Sequence, residues 1–159
     1  MPAGRQPAPA PAPAPPRRRP CPEETVLVEL LRTADELSRP LVRLLKKDAV
    51  STTQYNVLRI LRGSPQGLAC RDIGGRMISR DPDITRLLDR LEARGLIARC
   101  RENQDRRLVL TRITPAGLAL LEQLDEPVAA THRRLLGHLG PARLRALTEL
   151  LAACRVRAT

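Results

Sequence analysis

Between Ile84 and Gly117 the apolar spacing changes twice, and this change limits the available folds more than any other feature of the chain. Ile84, Leu87, Leu88 and Leu91 recur in steps of three and four, the period of one helix face. Gly95 ends that run. "LIARCR" and "RLVLTRI" follow, two short β-capable stretches separated by "ENQDR", and they read as a hairpin. From Thr114 or Pro115 the helical pattern returns. One hairpin set among helices is a mainly α fold with a small β element (α+β).

The 159 residues suffice for one domain with a real core and are too few for two comfortable ones. Tyr55 is the only aromatic residue, so the core must be aliphatic. That argues against single-strand nucleic-acid binders, whose bases stack on aromatic platforms. Formal net charge is +11, and four of these charges (Arg5, Arg17, Arg18, Arg19) precede residue 21. The excess favours an anionic partner, nucleic acid or an anionic membrane surface, without choosing between them. Residues 1–21, with "PAPAPAPAPP" and "RRRP", read as a disordered, polyproline-like arm rather than an apolar signal core. No apolar run approaches the ~20 residues of a membrane span. Cys21, Cys70, Cys100 and Cys154 are scattered, with no C-x-x-C and no Cys/His cluster. Reduced structural thiols in a cytoplasmic protein, with no metal and no cofactor, are the expectation.

From Glu23 to about Lys47 the leucines Leu27, Leu30, Leu31, Leu37, Leu41, Leu44 and Leu45 predict a helix that Pro40 kinks or splits. Ser51 or Thr52 can cap the next helix, with Gln54 completing a capping box, and Gly63 ends it. A further short helix fits Leu68 to about Arg76. Ser79 or Asp81 can cap the one after it, with Pro82 at its first position and Gly95 at its end. After the hairpin, a helical block runs to about Leu139. Gly140-Pro141 breaks it before a last helix carrying Leu144, Leu147, Leu150, Leu151 and Cys154.

Three short helices in succession follow a helix-turn-helix plan. On the helix beginning near Pro82 the apolar stripe leaves Pro82, Arg86, Asp89 and Ala93 on the opposite face, with Thr85 and Arg90 on its flanks. Residues at such an N-terminal end reach base edges in the major groove, and arginine reads guanine there through a bidentate fork. A solvated polar face is the bland alternative. Eleven basic against seven acidic residues between Arg71 and Arg112 do not settle the choice. Asp105 lies two positions before Arg107 and can orient its guanidinium at the hairpin tip, which suits the negative potential of a narrow minor groove.

"DITRLLDRLEARGLIARCRENQDRRLVLTRITPAG" resembles the DNA-binding signature of the MarR family of bacterial winged-helix regulators. The matching residues are Asp89-Arg90-Leu91-Glu92, Gly95, Asp105-x-Arg107 and Ile113-Thr114-Pro115-Ala116-Gly117. Ile113 replaces the usual Leu, and Asp81-Pro82-Asp83 stands where many relatives carry Ser or Thr. The resemblance implies a winged helix-turn-helix with N- and C-terminal dimerisation helices. Within one domain, 22–157, it assigns 22–47 and 114–157 to dimerisation and 51–113 to the DNA-binding lobe. It implies a homodimer on double-stranded DNA, a repressor on a palindromic operator. Pro82, Asp83, Thr85, Arg86 and Arg90 would face the major groove, while Asp105, Arg106 and Arg107 would form the wing contact. It also implies a small-molecule effector near Tyr55 and Arg59.

Catalysis finds no support: His132 and His138 are six apart on one helix, facing different ways, and no nucleophile motif accompanies them. The remaining alternatives are a nonspecific nucleoid-type DNA binder and a helical protein-interaction adaptor.

Overall fold

The computed structural model describes residues 21–79, 83–101 and 109–156. The expected arm, apart from Cys21, and the segments holding Pro82 and the hairpin tip (Asp105, Arg106, Arg107) lie outside the described residues. The chain divides into a unit ending at Ala34 and a second from Asp35 onward.

Helix α1 spans Pro22–Lys46, with Glu23 and Glu24 in its first turn and Arg43 and Lys46 in its last, each sign favourable to the helix dipole. Pro40, expected to kink or split this helix, lies inside it without splitting it. The physical reason lies in the leucines C-terminal to the proline. Leu45 is fully buried and Leu41 and Leu44 pack against the core, burial worth about 1.5–3 kcal/mol per side chain against about 3 for the proline. Before Ala34, Val26, Leu27, Val28 and Leu31 are exposed.

Helix α2, Thr52–Arg62, starts at Ser51 with the anticipated capping box. The Gln54 amide donates to Ser51 Oγ at 3.1 Å, and Gln54 Oε1 accepts from the Ser51 amide at 3.0 Å. The segment expected to be helical from Leu68 begins instead as a strand, β1 (Leu68–Ala69), before helix α3 (Cys70–Arg76). Its pairing explains the error. Leu68 and Ala69 lie opposite Thr111 and Leu110, some forty residues away, and local periodicity carries no trace of that partner.

Helix α4 (Ile84–Ala93), strand β2 (Ile97–Arg101) and strand β3 (Val109–Ile113) come next. The three strands form an antiparallel sheet in the order β1-β3-β2, with β2 and β3 in register from Ile97↔Ile113 to Arg101↔Val109. Helix α5 (Pro115–Leu136), one 3-10 turn (Gly137–Leu139) and helix α6 (Gly140–Val156) complete the chain. The core is one cluster, aliphatic apart from Tyr55. Val57, Leu58 and Leu61 of α2, Ile73 of α3, and Leu87, Leu88 and Leu91 of α4 meet Leu121, Leu124 and Val128 of α5. The first half of α5 therefore shares the core of the helices that precede the hairpin. An ion pair, Arg62 Nη1 to Asp125 Oδ2 at 2.7 Å, ties α2 to it at the surface.

The junction from hairpin to α5 depends on Thr114 and Gly117. Thr114 caps α5 by accepting from the Gly117 amide at 3.1 Å, and its hydroxyl donates to the Gly95 carbonyl at 2.6 Å. A Cβ on Gly117 would lie 2.3 Å from the Leu96 carbonyl oxygen, closer than real contacts allow. The Thr-x-x-Gly spacing is thus a cap followed by a close backbone crossing.

Candidate nucleic-acid interface

Helix α4 is anchored by its apolar stripe: Leu91 is fully buried and Leu87 and Leu88 nearly so. Thr85, Arg86, Asp89 and Arg90 are exposed, as the periodicity requires. Asp83, rather than Ser79 or Asp81, is the N-cap, its carboxylate accepting from the Arg86 amide at 3.4 Å. The helix therefore starts at Ile84 and not at Pro82. Capping fits the acid here, because its charge faces the positive end of the helix dipole. The same carboxylate lies 3.5 Å from Arg86 Nη1, but both side chains are mostly exposed. Such a pair holds Arg86 weakly and leaves its fork able to turn outward. At the other end Gly95 adopts φ +68, a conformation that favours glycine, and turns the chain into β2.

The N-terminus of α2 lies beside this face. Ser51, Thr53 and Gln54 line a concavity of about 290 Å³ with Asp83, Arg86, Leu87 and Arg90. The Asn56 side chain accepts from the Ile78 amide at 2.9 Å and pins the chain leaving α3. Behind α4, Arg94 donates to the carbonyls of Ala49 at 2.6 Å and Asp48 at 3.1 Å. That fastens the C-terminal end of the helix to the turn after α1, where Ala49 has φ 53.

Arg99 of β2 is the residue that sequence reasoning missed. Its Nη1 lies 2.7 Å from Asp89 Oδ1 and 3.4 Å from Glu92 Oε2, and its Nη2 donates to the Thr85 carbonyl at 3.3 Å. Two carboxylates three apart on a helix, followed by an arginine on the next strand, were the available signal. The Asp-Arg-Leu-Glu stretch now divides by role. Asp89 and Glu92 face Arg99, Arg90 faces solvent, and Leu91 fills the core. Arg112 of β3 is exposed, and its Nε donates to the Gln66 carbonyl at 3.1 Å. Arg101 is exposed at the last described position of β2.

Tyr55 is buried, with the Arg59 guanidinium 5.9 Å from its ring centroid. Burial pushes the phenol pKa up, and the Arg59 charge partly opposes that. A second, more apolar concavity lies between Val42 and Lys46 of α1 and Ala49, Val50, Ser51, Thr52 and Gln54. Tyr55 and Arg59 line neither concavity.

A helix anchored by its apolar stripe, its polar N-terminal face beside a β-hairpin on a three-stranded sheet, defines a winged helix-turn-helix DNA-binding domain. Residues 50–109 match the MarR family. A MarR transcription factor from Planctomyces limnophilus is 40% identical, the match covering 86% of this chain and 99% of that one, with a TM-score of 0.64. The chain belongs to the MarR family of transcriptional regulators. Bordetella bronchiseptica BpsR, whose DNA binding is regulated by 6-hydroxynicotinic acid, is 25% identical over 87% of this chain and 98% of its own, with a TM-score of 0.77. A mutant E. coli MarR solved with operator DNA is also 25% identical, over 83% and 95%, with a TM-score of 0.74. No helix among the described residues is long and apolar enough to cross a membrane.

Proposed function

We propose that the protein is a homodimeric repressor that occupies a palindromic operator, with one winged lobe in each half-site. The observation carrying this reading is the exposed face of α4, Thr85, Arg86 and Arg90, on a helix whose opposite stripe is buried. Thr85 and Arg86 read major-groove base edges, Pro82 contributes apolar contact and Arg90 approaches phosphate. Asp83 acts through Arg86. On the wing, Asp105 orients Arg107 into the minor groove and Arg106 meets phosphate. That a mutant of the E. coli relative was solved with operator DNA supports operator binding by this lobe.

Dimerisation is supported by apolar side chains that one chain leaves uncovered. Leu27 and Leu31 in α1, and Leu147 and Leu150 in α6, are exposed, which a second copy would relieve. Two-fold symmetry then sets half-sites about one DNA turn apart. A small aromatic acid is the proposed effector class, supported by the regulation of BpsR, with Tyr55 and Arg59 near its site.

The test is selection of bound sequences from random duplex DNA at two salt concentrations. An enriched palindrome is expected. A steep salt slope with no motif would mean a nonspecific binder, and no binding would leave a helical adaptor. On the enriched duplex, Arg107→Ala should weaken binding by about 1–3 kcal/mol, and unchanged affinity removes the wing assignment. Arg86→Ala should chiefly relax sequence preference; equal weakening on all sequences would make it a phosphate contact.

A further inference from the structure

We propose that Arg99 is a positioning residue for sequence discrimination, holding α4 and the first strand of the wing in one fixed relation. The inference rests on the DNA-reading role of α4. Thr85, Asp89 and Glu92 are spaced four and three apart, so they form a single ridge along the helix. Arg99 grips all three, through the Thr85 carbonyl, Asp89 Oδ1 and Glu92 Oε2. Its own amide also donates to Glu92 Oε1 at 3.0 Å. Among the described residues β2 is an edge strand of the sheet, so that carboxylate satisfies an amide that no described strand pairs.

Two features separate this arginine from a phosphate contact. Its side chain is 25% exposed, whereas that of Arg86 is 70% exposed. One guanidinium among two carboxylates also leaves the cluster net negative, the wrong sign for gripping a backbone phosphate. The Thr85 carbonyl lies in the first turn of α4, the turn whose side chains face the bases. Bidentate base reading tolerates little angular error, so a slackened first turn costs discrimination before it costs attraction.

The experiment measures affinity of the full-length protein for the enriched duplex and for a scrambled duplex of equal length, at one salt concentration. Thermal melting of each variant monitors the fold. Arg99→Lys keeps the charge but cannot fork across both carboxylates and the carbonyl. It should lower the ratio of the two affinities about tenfold, the scale of one lost base contact, with scrambled-duplex affinity nearly unchanged. Asp89→Asn alters an exposed position and provides a variant that tests the same grip without touching Arg99. Electrostatics alone would make Asp89→Asn bind every sequence more tightly, because a negative charge is removed. Positioning instead requires its ratio to fall. The double variant Asp89→Asn/Arg99→Lys should have a ratio no lower than Arg99→Lys alone, because both remove one grip.

Equal losses on both duplexes, an unchanged ratio in Asp89→Asn, or additive effects on the ratio would each overturn the proposal. An unmodified protein with no preference between duplexes would overturn the underlying DNA-reading assignment, and that result is visible before any variant is made.

Discussion

Gly117→Ala places one methyl group where helix α5 crosses the backbone of Leu96. The added Cβ would sit 2.3 Å from the Leu96 carbonyl oxygen and 2.7 Å from Ile113 Cγ1. Neither neighbour yields easily. The carbonyl belongs to the main chain and accepts the Thr114 amide at 3.1 Å, and Ile113 lies in β3. Relief needs a backbone shift of about 1 Å, in a core where one methylene is already felt. Overpacking of this kind costs about 1–3 kcal/mol. Disturbing the Thr114 cap adds about 1 kcal/mol. Alanine's helix propensity returns about 1 kcal/mol. The net expectation is a loss of about 1–3 kcal/mol, and each kcal/mol lowers the midpoint by about 2–4 °C in a chain of this length. Urea and thermal melts at one fixed protein concentration would measure it, since the proposed self-association would make the midpoint concentration-dependent. Gly75→Ala is the internal control. It lies in α3 with nothing among the described residues within 4 Å of the added Cβ, so propensity acts alone and stability should rise by up to about 1 kcal/mol. If Gly117→Ala matches or exceeds the stability of the unmodified protein, the crossing is not tight and the account of Thr-x-x-Gly is refuted.

Asp125→Asn tests the surface tie between α2 and α5. The hydrogen bond from Arg62 holds the Asp125 carboxyl below its ordinary range, partly opposed by desolvation. A depressed folded pKa gives stability that is present above the unfolded value, about 3.9, and is lost as pH falls through the folded one. Removing the carboxylate should flatten that acid-side fall in melts between about pH 5 and pH 2. Because Asp125 is nearly half exposed, the loss at neutral pH should stay below about 1 kcal/mol. Leu150→Glu puts a charge on a side chain that is 66% exposed in one chain, so the monomer should fold and its self-association should weaken markedly in sedimentation. A dimer of undiminished affinity would remove that face of α6 from the interface.

Much of the candidate interface was legible from local chemistry. The capping box at Ser51 and Gln54 declares itself over four residues, and the stripe Ile84-Leu87-Leu88-Leu91 declares which face of α4 is buried. Thr85, Arg86 and Arg90 emerge as the outward side chains because a helix has only one period. The strand at Leu68-Ala69 was missed because its partners lie far along the chain. The cap of α4 was misplaced for a local reason: Asp83 rather than Asp81 or Ser79 takes it, a choice among acids and hydroxyls within five positions that the helical period does not rank. The expectation that Pro40 kinks or splits α1 loses only its second arm, because the leucines beyond the proline have a core to join.

The sequence by itself determined the aliphatic core, the order of helices and hairpin, and which side chains of α4 face outward, since each depends on residues within a few positions. Only the tertiary structure decided that Leu68-Ala69 is a strand, that Gly117 is required by the Leu96 carbonyl, and that Arg99 gathers Asp89, Glu92 and Thr85. A periodic pattern records which way a side chain points. It holds no record of which distant backbone or charge will be there to meet it.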